Sequence, residues 1–337
     1  MRIVLDAMGG DNAPQVEIEG AIQAVKQNKN ITVILVGKKD IIEKSILYTL
    51  LPDKYKRRLE IVNATEVVSM SDAPAEAYKK KPDSSIIVAA KLIRAGKADA
   101  LVSAGNTGAV VVTTLLTIGR IKGVLRPAIC TPFPSQKGHI ALLDAGANVD
   151  CKPAHLVQFA VMGELYSKYI LGIEKPIIGM ISVGEEEEKG NDLTYATNEL
   201  MAKTNLNSKG NVEGRDVVNG SVDVVVCDGF VGNVILKLAE GIGAFVFRFL
   251  KDQVKKNPFI FLGALIMSGA FKELKKKVNP DEYGGAPLLG IKKPVIISHG
   301  SASPMGIKNG INSAATFIEK QINEEIEENI KKLGGEK

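Results

Sequence analysis

The sequence is poor in the residues that build disulfide and metal scaffolds. Its 337 residues include no tryptophan, three histidines and three cysteines. Cys130, Cys151 and Cys227 form no CxxC pair and are odd in number, which excludes a disulfide scaffold and a zinc ribbon. The cysteine usage therefore favours a protein of the reducing cytoplasm.

Membrane-directing segments are short. The N-terminal apolar run is too short for a signal peptide and lacks a small-residue cleavage site. Residues 257–271 carry no charge, but these fifteen residues fall short of the about 20 that a spanning helix needs. We expect no segment to cross a bilayer.

Several nucleotide-binding and nucleophile motifs are missing. The sequence contains no GxGxxG, no GxxxxGK[ST], no HExxH and no GxSxG. These absences argue against a dinucleotide fingerprint, a P-loop, a zinc protease helix and a serine hydrolase elbow.

The net charge of +5 is concentrated in one segment. Residues 248–277 contain eight basic and two acidic residues, so the rest of the chain is close to neutral. A nucleic-acid footprint would be a broader basic stripe with interleaved aromatics, and we expect no nucleic-acid partner.

Short apolar runs alternate with helical patterns along nearly the whole chain. Continuous apolar runs indicate strands buried on both faces, and strand–helix alternation indicates a parallel sheet with right-handed crossovers. The sequence predicts one α/β catalytic domain over residues 1–337, with a doubly wound, mostly parallel, Rossmann-like sheet. Apolar residues at helical spacing predict a C-terminal packing helix over 305–333. The expected strands include 2–5, 31–36, 98–102, 128–131, 140–143, 177–182, 222–227 and 295–298.

Polar, glycine-rich turns follow six of these strands. Ligands of open α/β sheets bind outside the carboxyl ends of the strands, so these turns should converge on one cleft. Glycine lets the main chain approach a ligand, and N–H groups at helix starts bind anions. The turns begin at Asp6, Ser103, Asp144, Gly184, Asp228 and His299.

These turns and the segments near them resemble the bacterial phosphate acyltransferases of phospholipid synthesis (PlsX type) over essentially the full length. The motifs that carry the resemblance are DAMGGD at 6–11, SAGNTGA at 103–109, GRIKG at 119–123, RPA at 126–128, LLDAGANVDCKP at 142–153, KGNDL at 189–193, DGFVGNV at 228–234, YGGAPLLG at 283–290 and HGSAS at 299–303. One departure is Asn12, where many members carry histidine.

The resemblance implies conversion of fatty acyl–acyl-carrier protein and inorganic phosphate to acyl phosphate and free carrier protein. It also implies a homodimer with a fold related to isopropylmalate dehydrogenases and phosphotransacetylases, and no metal or organic cofactor. The product would serve a membrane glycerol-3-phosphate acyltransferase, so we expect a cytoplasmic enzyme with peripheral membrane contact.

The chemistry of the turns assigns candidate roles. Lys189, His299 and Asn106 are the catalytic candidates, because each can donate to phosphate or to the thioester oxyanion. Ionised aspartates cannot face phosphate, so we expect them to orient donors. The substrate-binding candidates are Asp6, Gly10, Asp11, Asn12, Ser103, Thr107, Asp144, Asn148, Asn191, Asp228, Asn233, Ser301 and Ser303.

Direct attack of phosphate on the thioester is the simplest mechanism for these groups. Phosphate is already an anionic nucleophile, and an alkyl thiol with a pKa of roughly 8.5 leaves with little acid assistance. The three cysteines are then small buried residues rather than nucleophiles.

The alternatives are a phosphotransacetylase that uses coenzyme A, a decarboxylating dehydrogenase, and a membrane-surface scaffold with a degenerate site. Two basic segments could dock an acidic carrier protein, 248–277 and the group Arg120, Lys122 and Arg126; the sequence does not decide between them.

Residues 245–278 are predicted to form a protruding helical hairpin with an apolar tip. An apolar tip flanked by lysines suits the surface of an anionic membrane, and burial of the same residues in a dimer interface is the alternative. The expected membrane contacts are Phe259, Phe261, Leu262, Leu265 and Ile266.

Overall fold

A computed structural model describes residues 1–256 and 258–335 of the chain. Within these residues it has twelve strands: β1 Arg2–Asp6, β2 Thr32–Gly37, β3 Leu59–Asn63, β4 Ala100–Ser103, β5 Ala128–Ile129, β6 Thr131–Ser135, β7 Gly138–Leu143, β8 Ile178–Ile181, β9 Ser208–Val212, β10 Val224–Val226, β11 Ala286–Leu289 and β12 Val295–Ile297.

Helices lie between and after these strands. They are α1 Gln15–Gln27, α2 Lys39–Lys44, α3 Ile46–Thr49, α4 Asp53–Lys56, α5 Pro74–Lys80, α6 Ser85–Arg94, α7 Thr107–Thr117, α8 Pro153–Tyr166, α9 Asp192–Met201, α10 Gly214–Asn219, α11 Gly229–Lys256, α12 Pro258–Ile266, α13 Ser268–Val278, α14 Pro304–Glu319 and α15 Ile322–Gly335. A π-helical turn extends α8, and a 3₁₀ turn at Pro280–Glu282 precedes β11.

The larger sheet has seven strands in the order β3-β2-β1-β4-β12-β11-β5. Its strands are parallel except β11, which runs antiparallel to both of its neighbours. The interior strand β1 is buried, since Ile3, Val4 and Leu5 have no exposed surface. The predicted mostly parallel α/β fold is confirmed.

A second sheet of five strands was not expected. Its order is β6-β7-β10-β8-β9, parallel except for the β6–β7 pair. The chain passes between the sheets at Cys130, whose N–H donates to the Pro287 carbonyl on β11 at 3.0 Å. Pro132 and Pro134 suit β6 to the edge of the second sheet, because proline has no N–H for a ladder. Apolar runs predict buried strands but do not say which strands pair, so the sequence suggested a single sheet.

The predicted C-terminal helix is divided into two. Gln321, with φ of 51°, separates α14 from α15. Ile311, Ile322 and Ile326 have no exposed surface, so both helices pack on the core as expected. The apolar spacing continues across the break, which is why the pattern alone did not reveal it.

Three helices occupy the segment predicted as a hairpin. The long helix α11 begins sixteen residues before position 245, and α12 and α13 follow it. By length and composition α11 could cross a membrane, with 6% of its apolar window buried. This helix lies outside residues 257–271, the uncharged run in the sequence, so the expectation that no segment is long and apolar enough to cross a bilayer overlooked it. Ile235, Leu236 and Ala239 pack against the cores of the two sheets, so we interpret α11 as a surface helix with one covered face.

The first turn of α11 lies directly against the loop after β7. A Cβ added at Gly232 would overlap the carbonyl oxygen of Asp144, and one at Gly229 would lie 2.7 Å from the carbonyl oxygen of Asn148. Only glycine allows this approach, and it sets the position from which the helix extends.

We expect Gly232→Ala to destabilise the protein by about 2 kcal/mol or more, because backbone must shift to admit the methyl group. Gly241→Ala is the matched control: it lies in the same helix with no atom within 4 Å of an added Cβ, and should stabilise by roughly 0.5–1 kcal/mol. Denaturant unfolding measures both. Equal midpoints for the two variants would contradict the tight contact at Gly232.

Candidate functional site

Asp6 ends β1 and is almost completely buried, 3% exposed. The Ser103 hydroxyl donates to its Oδ2 at 2.8 Å, and the Met8 N–H donates to its Oδ1 at 3.3 Å. Burial raises the pKa of this carboxyl, while the hydrogen bonds from Ser85, Ser103 and Met8 oppose the rise. Asp6 therefore connects the turns after β1 and β4 by hydrogen bonds on their buried side and does not face a ligand.

The turns after β1 and β4 also touch through their backbones. A Cβ at Gly9 would lie 2.7 Å from the backbone nitrogen of Gly105, whose N–H donates to the Ser103 hydroxyl at 3.1 Å. Glycine at position 9 is therefore a steric requirement of this contact.

A third turn, after β12, completes the group. The Asp11 N–H donates to the Gly300 carbonyl at 2.8 Å, and a Cβ at Gly300 would lie 3.2 Å from Asp11 Oδ1. Because β1, β4 and β12 are adjacent in the sheet, residues 6–12, 103–107 and 299–303 meet at one edge. We call these three segments the three-turn site. The expected convergence of strand-end turns is thus observed for three of the six.

The outer rim of the three-turn site is polar and accessible. Asp11, Asn12, Thr107, His299 and Ser301 are exposed, whereas Gly10 and Asn106 are half-buried. Thr107 is the first residue of α7, an eleven-residue helix whose N-terminal N–H groups point towards this rim. The rim can therefore hold an anion.

The ring of His299 has an assigned orientation. The backbone N–H of Ser301 donates to its Nδ1 at 3.2 Å, and the Ser301 hydroxyl lies 2.8 Å from the same nitrogen. Because a backbone N–H can only donate, Nδ1 is the acceptor and the proton of the neutral ring resides on Nε2. His299 can thus offer the N–H at Nε2 to a ligand, and its catalytic role stays a prediction.

The amide of Asn106 is committed to the protein itself. Its Oδ1 accepts the Ala109 N–H at 3.0 Å and caps α7, and its Nδ2 donates to the carbonyls of Ser69, Met70 and Asp72. Both amide hydrogens are engaged, so the structure gives Asn106 a positioning role in place of the predicted catalytic one. The Ser303 side chain also bonds within the protein: it accepts the Gly306 N–H and caps α14.

Asp144 organises a second group in the smaller sheet. It has no exposed surface and accepts hydrogen bonds from the backbone N–H groups of Ile129, Gly146, Ala147 and Asn148, and from the Asn148 amide. Burial raises its pKa, and these donors offset part of the rise. We call residues 144–148 the aspartate loop. Asp144 shapes this loop and is not available to substrate.

The turn after β10 lies on the aspartate loop. Asp228 Oδ1 accepts the Val231 N–H at 2.8 Å in the first turn of α11, and the Gly229 N–H donates to the Asn148 carbonyl at 2.7 Å. Asn233 is exposed beside Gly146. Of these predicted binding residues, Asn233 alone presents a largely open side chain.

Lys189 stands apart from both groups. It is exposed in the segment 184–191, and its carbonyl accepts from the Asn211 amide at 2.9 Å and from the Ser182 hydroxyl at 3.3 Å. Among the described residues, no hydrogen bond or ion pair joins its side chain to the three-turn site or the aspartate loop. Asn191 caps α9 through the Thr194 N–H at 2.9 Å. The structure therefore holds the Lys189 backbone firmly and leaves the ammonium group accessible.

Glu17 is a site residue that sequence reasoning missed. It lies in the first turn of α1, 1% exposed, with Oε1 against Gly10. In the described chain its Oε2 is buried without a hydrogen-bond partner. Burial raises its pKa to about 7, the carboxylates of Asp6 and Asp11 add to the rise, and the Gly10 N–H opposes it. In the sequence, the one indication of a buried acid here was that Glu17 stands at a position where α1 faces the core.

Comparison with known proteins places the chain in a family. A family model described as fatty acid synthesis protein matches residues 1–325. A phosphate acyltransferase of Brevibacillus brevis is 47% identical over 98% of both chains, and one of Nitratiruptor sp. is 48% identical over 99% of this chain and 98% of its own. The chain belongs to the phosphate acyltransferase family.

This membership confirms the resemblance and the expected acyltransferase class. Among solved structures, a phosphotransacetylase of Streptococcus pyogenes matches with a TM-score of 0.63 at 17% identity over 94% of both chains. A branched-chain phosphotransacylase of Enterococcus faecalis matches with a TM-score of 0.57 at 15% identity, over 94% of this chain and 98% of its own. These two share the fold.

We expect Glu17→Gln to change how stability depends on pH. A raised pKa means that the folded state holds the proton more tightly, so wild type loses stability as the pH rises from the unfolded value of 4.5 to about 7. Glutamine cannot ionise and avoids this loss. At pH 8 the variant should be more stable than wild type by up to about 3 kcal/mol, with little gain at pH 5.

Urea unfolding at pH 5, 6, 7 and 8 measures the difference. Glu19→Gln is the matched control, because Glu19 is half-buried on the same helix and accepts from Gln23 at 3.2 Å. A stability gap between Glu17→Gln and wild type that stays constant across these pH values would show that Glu17 is ionised in the folded protein.

Proposed function

We propose that this phosphate acyltransferase moves the acyl group of fatty acyl–acyl-carrier protein to inorganic phosphate, in the synthesis of phospholipids. The observation that carries the proposal is full-length membership in the family, combined with a polar, anion-binding rim at the ends of three parallel strands. The matching family model, described as fatty acid synthesis protein, supports a fatty acyl donor.

Phosphate binds at the three-turn site in this proposal. The N–H at Nε2 of His299 and the N-terminus of α7 are donors there, and Asn12 can add an amide. These groups hold the nucleophile by hydrogen bonds and helix polarity. Asp6 stays buried beneath the turns and maintains their spacing.

The reaction needs one bond to form and one to break. A phosphate oxygen attacks the thioester carbon, the carbonyl becomes an oxyanion, and collapse expels the carrier thiolate, which takes up a proton from solvent. Lys189 is the proposed electrostatic stabiliser of the oxyanion; because it lies outside the three-turn site, this role requires the exposed segment 184–191 to approach the bound substrate. Four glutamates precede it, but Glu185 pairs with Arg215 at 3.2 Å, which supports an available ammonium group.

The environments of the cysteines support direct attack. Cys130 and Cys227 are buried, and burial raises their thiol pKa well above the ordinary value. Burial and the nearby Asp144 and Asp228 raise the pKa of Cys151 to about 12. None is a thiolate at neutral pH, so none is poised to form an acyl-enzyme.

Two surfaces could receive the acidic carrier protein. Arg120, Lys122 and Arg126 are exposed, and Arg126 lies close enough to Cys151, next to the aspartate loop, to affect its pKa. The other basic segment flanks α12. We propose that the group around Arg126 docks the carrier protein, because Arg126 acts electrostatically on Cys151 beside the aspartate loop.

A second copy of the chain is the proposed partner for the outer face of α11. Large apolar side chains recur there every three or four residues and are 41–67% exposed. A stripe of this kind suits a symmetric helix–helix interface in a homodimer. It consists of Phe230, Val234, Leu238, Ile242, Phe245, Val246 and Phe249.

The helix α12 is the proposed membrane contact. Phe259, Phe261, Leu262, Leu265 and Ile266 are 52–84% exposed, and lysines precede and follow the helix. Two inserted Phe or Leu side chains would contribute roughly 3–6 kcal/mol. That suits reversible attachment of a cytoplasmic enzyme, close to a membrane glycerol-3-phosphate acyltransferase that would consume the acyl phosphate.

Incubation with palmitoyl–carrier protein and phosphate tests the function. We expect acyl phosphate and free carrier thiol in equal amounts, with no covalent acyl-enzyme when phosphate is withheld. Intact-protein mass spectrometry and thiol release measure these outcomes. Faster turnover of acetyl–coenzyme A would favour the phosphotransacetylase alternative, and an acylated Cys or Ser would exclude direct attack.

In the same assay, Lys189→Ala should lower kcat/KM by on the order of 100-fold, the scale of losing one transition-state donor. Lys203→Ala, an exposed lysine just after α9, is the matched control. If the two variants have equal rates, Lys189 is only a surface charge.

The membrane proposal is tested by sedimentation with anionic vesicles. Leu262→Glu, Leu265→Glu and Ile266→Glu should remain folded but each lose most of the binding, because a carboxylate must be desolvated to enter the bilayer interface. Leu50→Glu is the control, since Leu50 is 77% exposed elsewhere on the molecule. Unchanged binding in all three variants would place the contact elsewhere.

A further inference from the structure

The covered face of α11 borders a cavity to which no role has yet been assigned. The cavity has a volume of ≈ 380 Å³ and lies between α11, β6 and the segment that leads into β11. Its walls are mostly apolar and include Pro132, Phe133, Leu236, Ala239, Phe247 and Tyr283. The volume falls within the range of small-molecule sites.

This cavity adjoins the three-turn site. A second cavity of ≈ 290 Å³ contains His299 and Ser301, and it shares Glu240, Asn279 and Pro280 with the apolar cavity. The two spaces therefore meet at these three residues. The polar cavity, which is also lined by Asp281, thus borders the apolar one.

The apolar cavity is elongated along α11. Its helical wall runs from Leu236 to Phe247, which is about 16 Å at the rise of an α-helix. Glu240 marks the junction with the polar cavity, Gly243 lies one turn beyond it, and Phe247 lies one turn further. From the junction at Glu240 the helical wall continues to Phe247, a length of about 10 Å that suits part of a long alkyl chain.

We propose that this cavity binds the alkyl chain of the acyl donor, with the thioester at the Glu240–Asn279 junction and phosphate beside His299. The inference rests on the proposed function, because it assigns a place to the acyl chain in that reaction. A linear chain matches the shape, the apolar walls and the polar junction together. The stripe proposed for the dimer lies on the opposite face of α11, so both can be occupied at once.

Gly243 gives a direct way to shorten the cavity. It lines the apolar cavity, and an added Cβ would meet no atom within 4 Å. A leucine there projects into empty space rather than into the protein, and it favours the helix more than glycine does. Gly269→Leu is the matched control, an exposed glycine of α13 with equally open surroundings and no place in the cavity wall.

Turnover is compared for palmitoyl and butyryl donors on the same carrier protein. Each methylene lost from an apolar site costs roughly fourfold in affinity, so Gly243→Leu should lower kcat/KM for the palmitoyl donor by about tenfold or more. The butyryl donor should change little, as should both donors with Gly269→Leu. Equal losses for long and short donors would overturn the assignment.

Binding of dansyl-labelled undecanoate, followed by its fluorescence, tests the cavity without turnover. Gly243→Leu should weaken this binding by about tenfold, and Gly269→Leu should leave it unchanged. If wild type turns over no donor, the proposed function is wrong, but probe binding still tests whether the cavity holds an alkyl chain. Probe binding equal to wild type in Gly243→Leu would reject the cavity as an alkyl site.

Ala244→Leu provides a second variant, because Ala244 also lines the cavity and its side chain is exposed. It is used if Gly243→Leu fails to give a cooperative thermal transition. Light scattering checks that the variants keep the oligomeric state of wild type. A loss of probe binding that follows a change in mass would assign the cavity to a subunit interface and overturn the proposal.

Discussion

Much of this structure depends on the hydrogen bonds that the buried carboxylate of Asp144 accepts. Removed from water, it is stabilised by four backbone N–H groups and one amide, and these bonds give the aspartate loop a single shape. Gly229 and Gly232 allow α11 to begin directly on that loop. The direction of α11 in turn positions the apolar cavity on one face, the exposed stripe on the other and α12 at the end.

The two faces of α11 illustrate how one helix can serve separate purposes. Residues at helical spacing on the covered face include Gly229 and Gly232, which leave room for the aspartate loop, and Gly243, which lines the cavity. The outer face instead carries large side chains that a partner can cover. Because both of its faces are apolar, the 28-residue helix α11 has the length and composition of a membrane-spanning helix. One of these faces nevertheless packs on the protein.

The three-turn site combines buried acids with an exposed rim that carries N–H donors and the carboxyl group of Asp11. Asp6 and Glu17 lie beneath the turns, where burial raises the pKa of each carboxyl and limits the negative charge next to an incoming phosphate. The rim offers N–H groups from His299 and from the start of α7. Such a site holds an anion through directed hydrogen bonds rather than through paired cations, which leaves the nucleophile free to react.

Sequence by itself determined the class of fold, most strand positions, the polar turns and the family. Those features depend on local periodicity and on motifs a few residues long, as in the glycines of 6–11 and 103–109. Tertiary structure alone decided the division into two sheets, the hydrogen bonds from the Asn106 amide to residues 69–72, the burial of Glu17 and the cavity beside Gly243. Each of these depends on contacts between residues far apart in the chain, and strand pairing or burial at such distances leaves no local pattern to read.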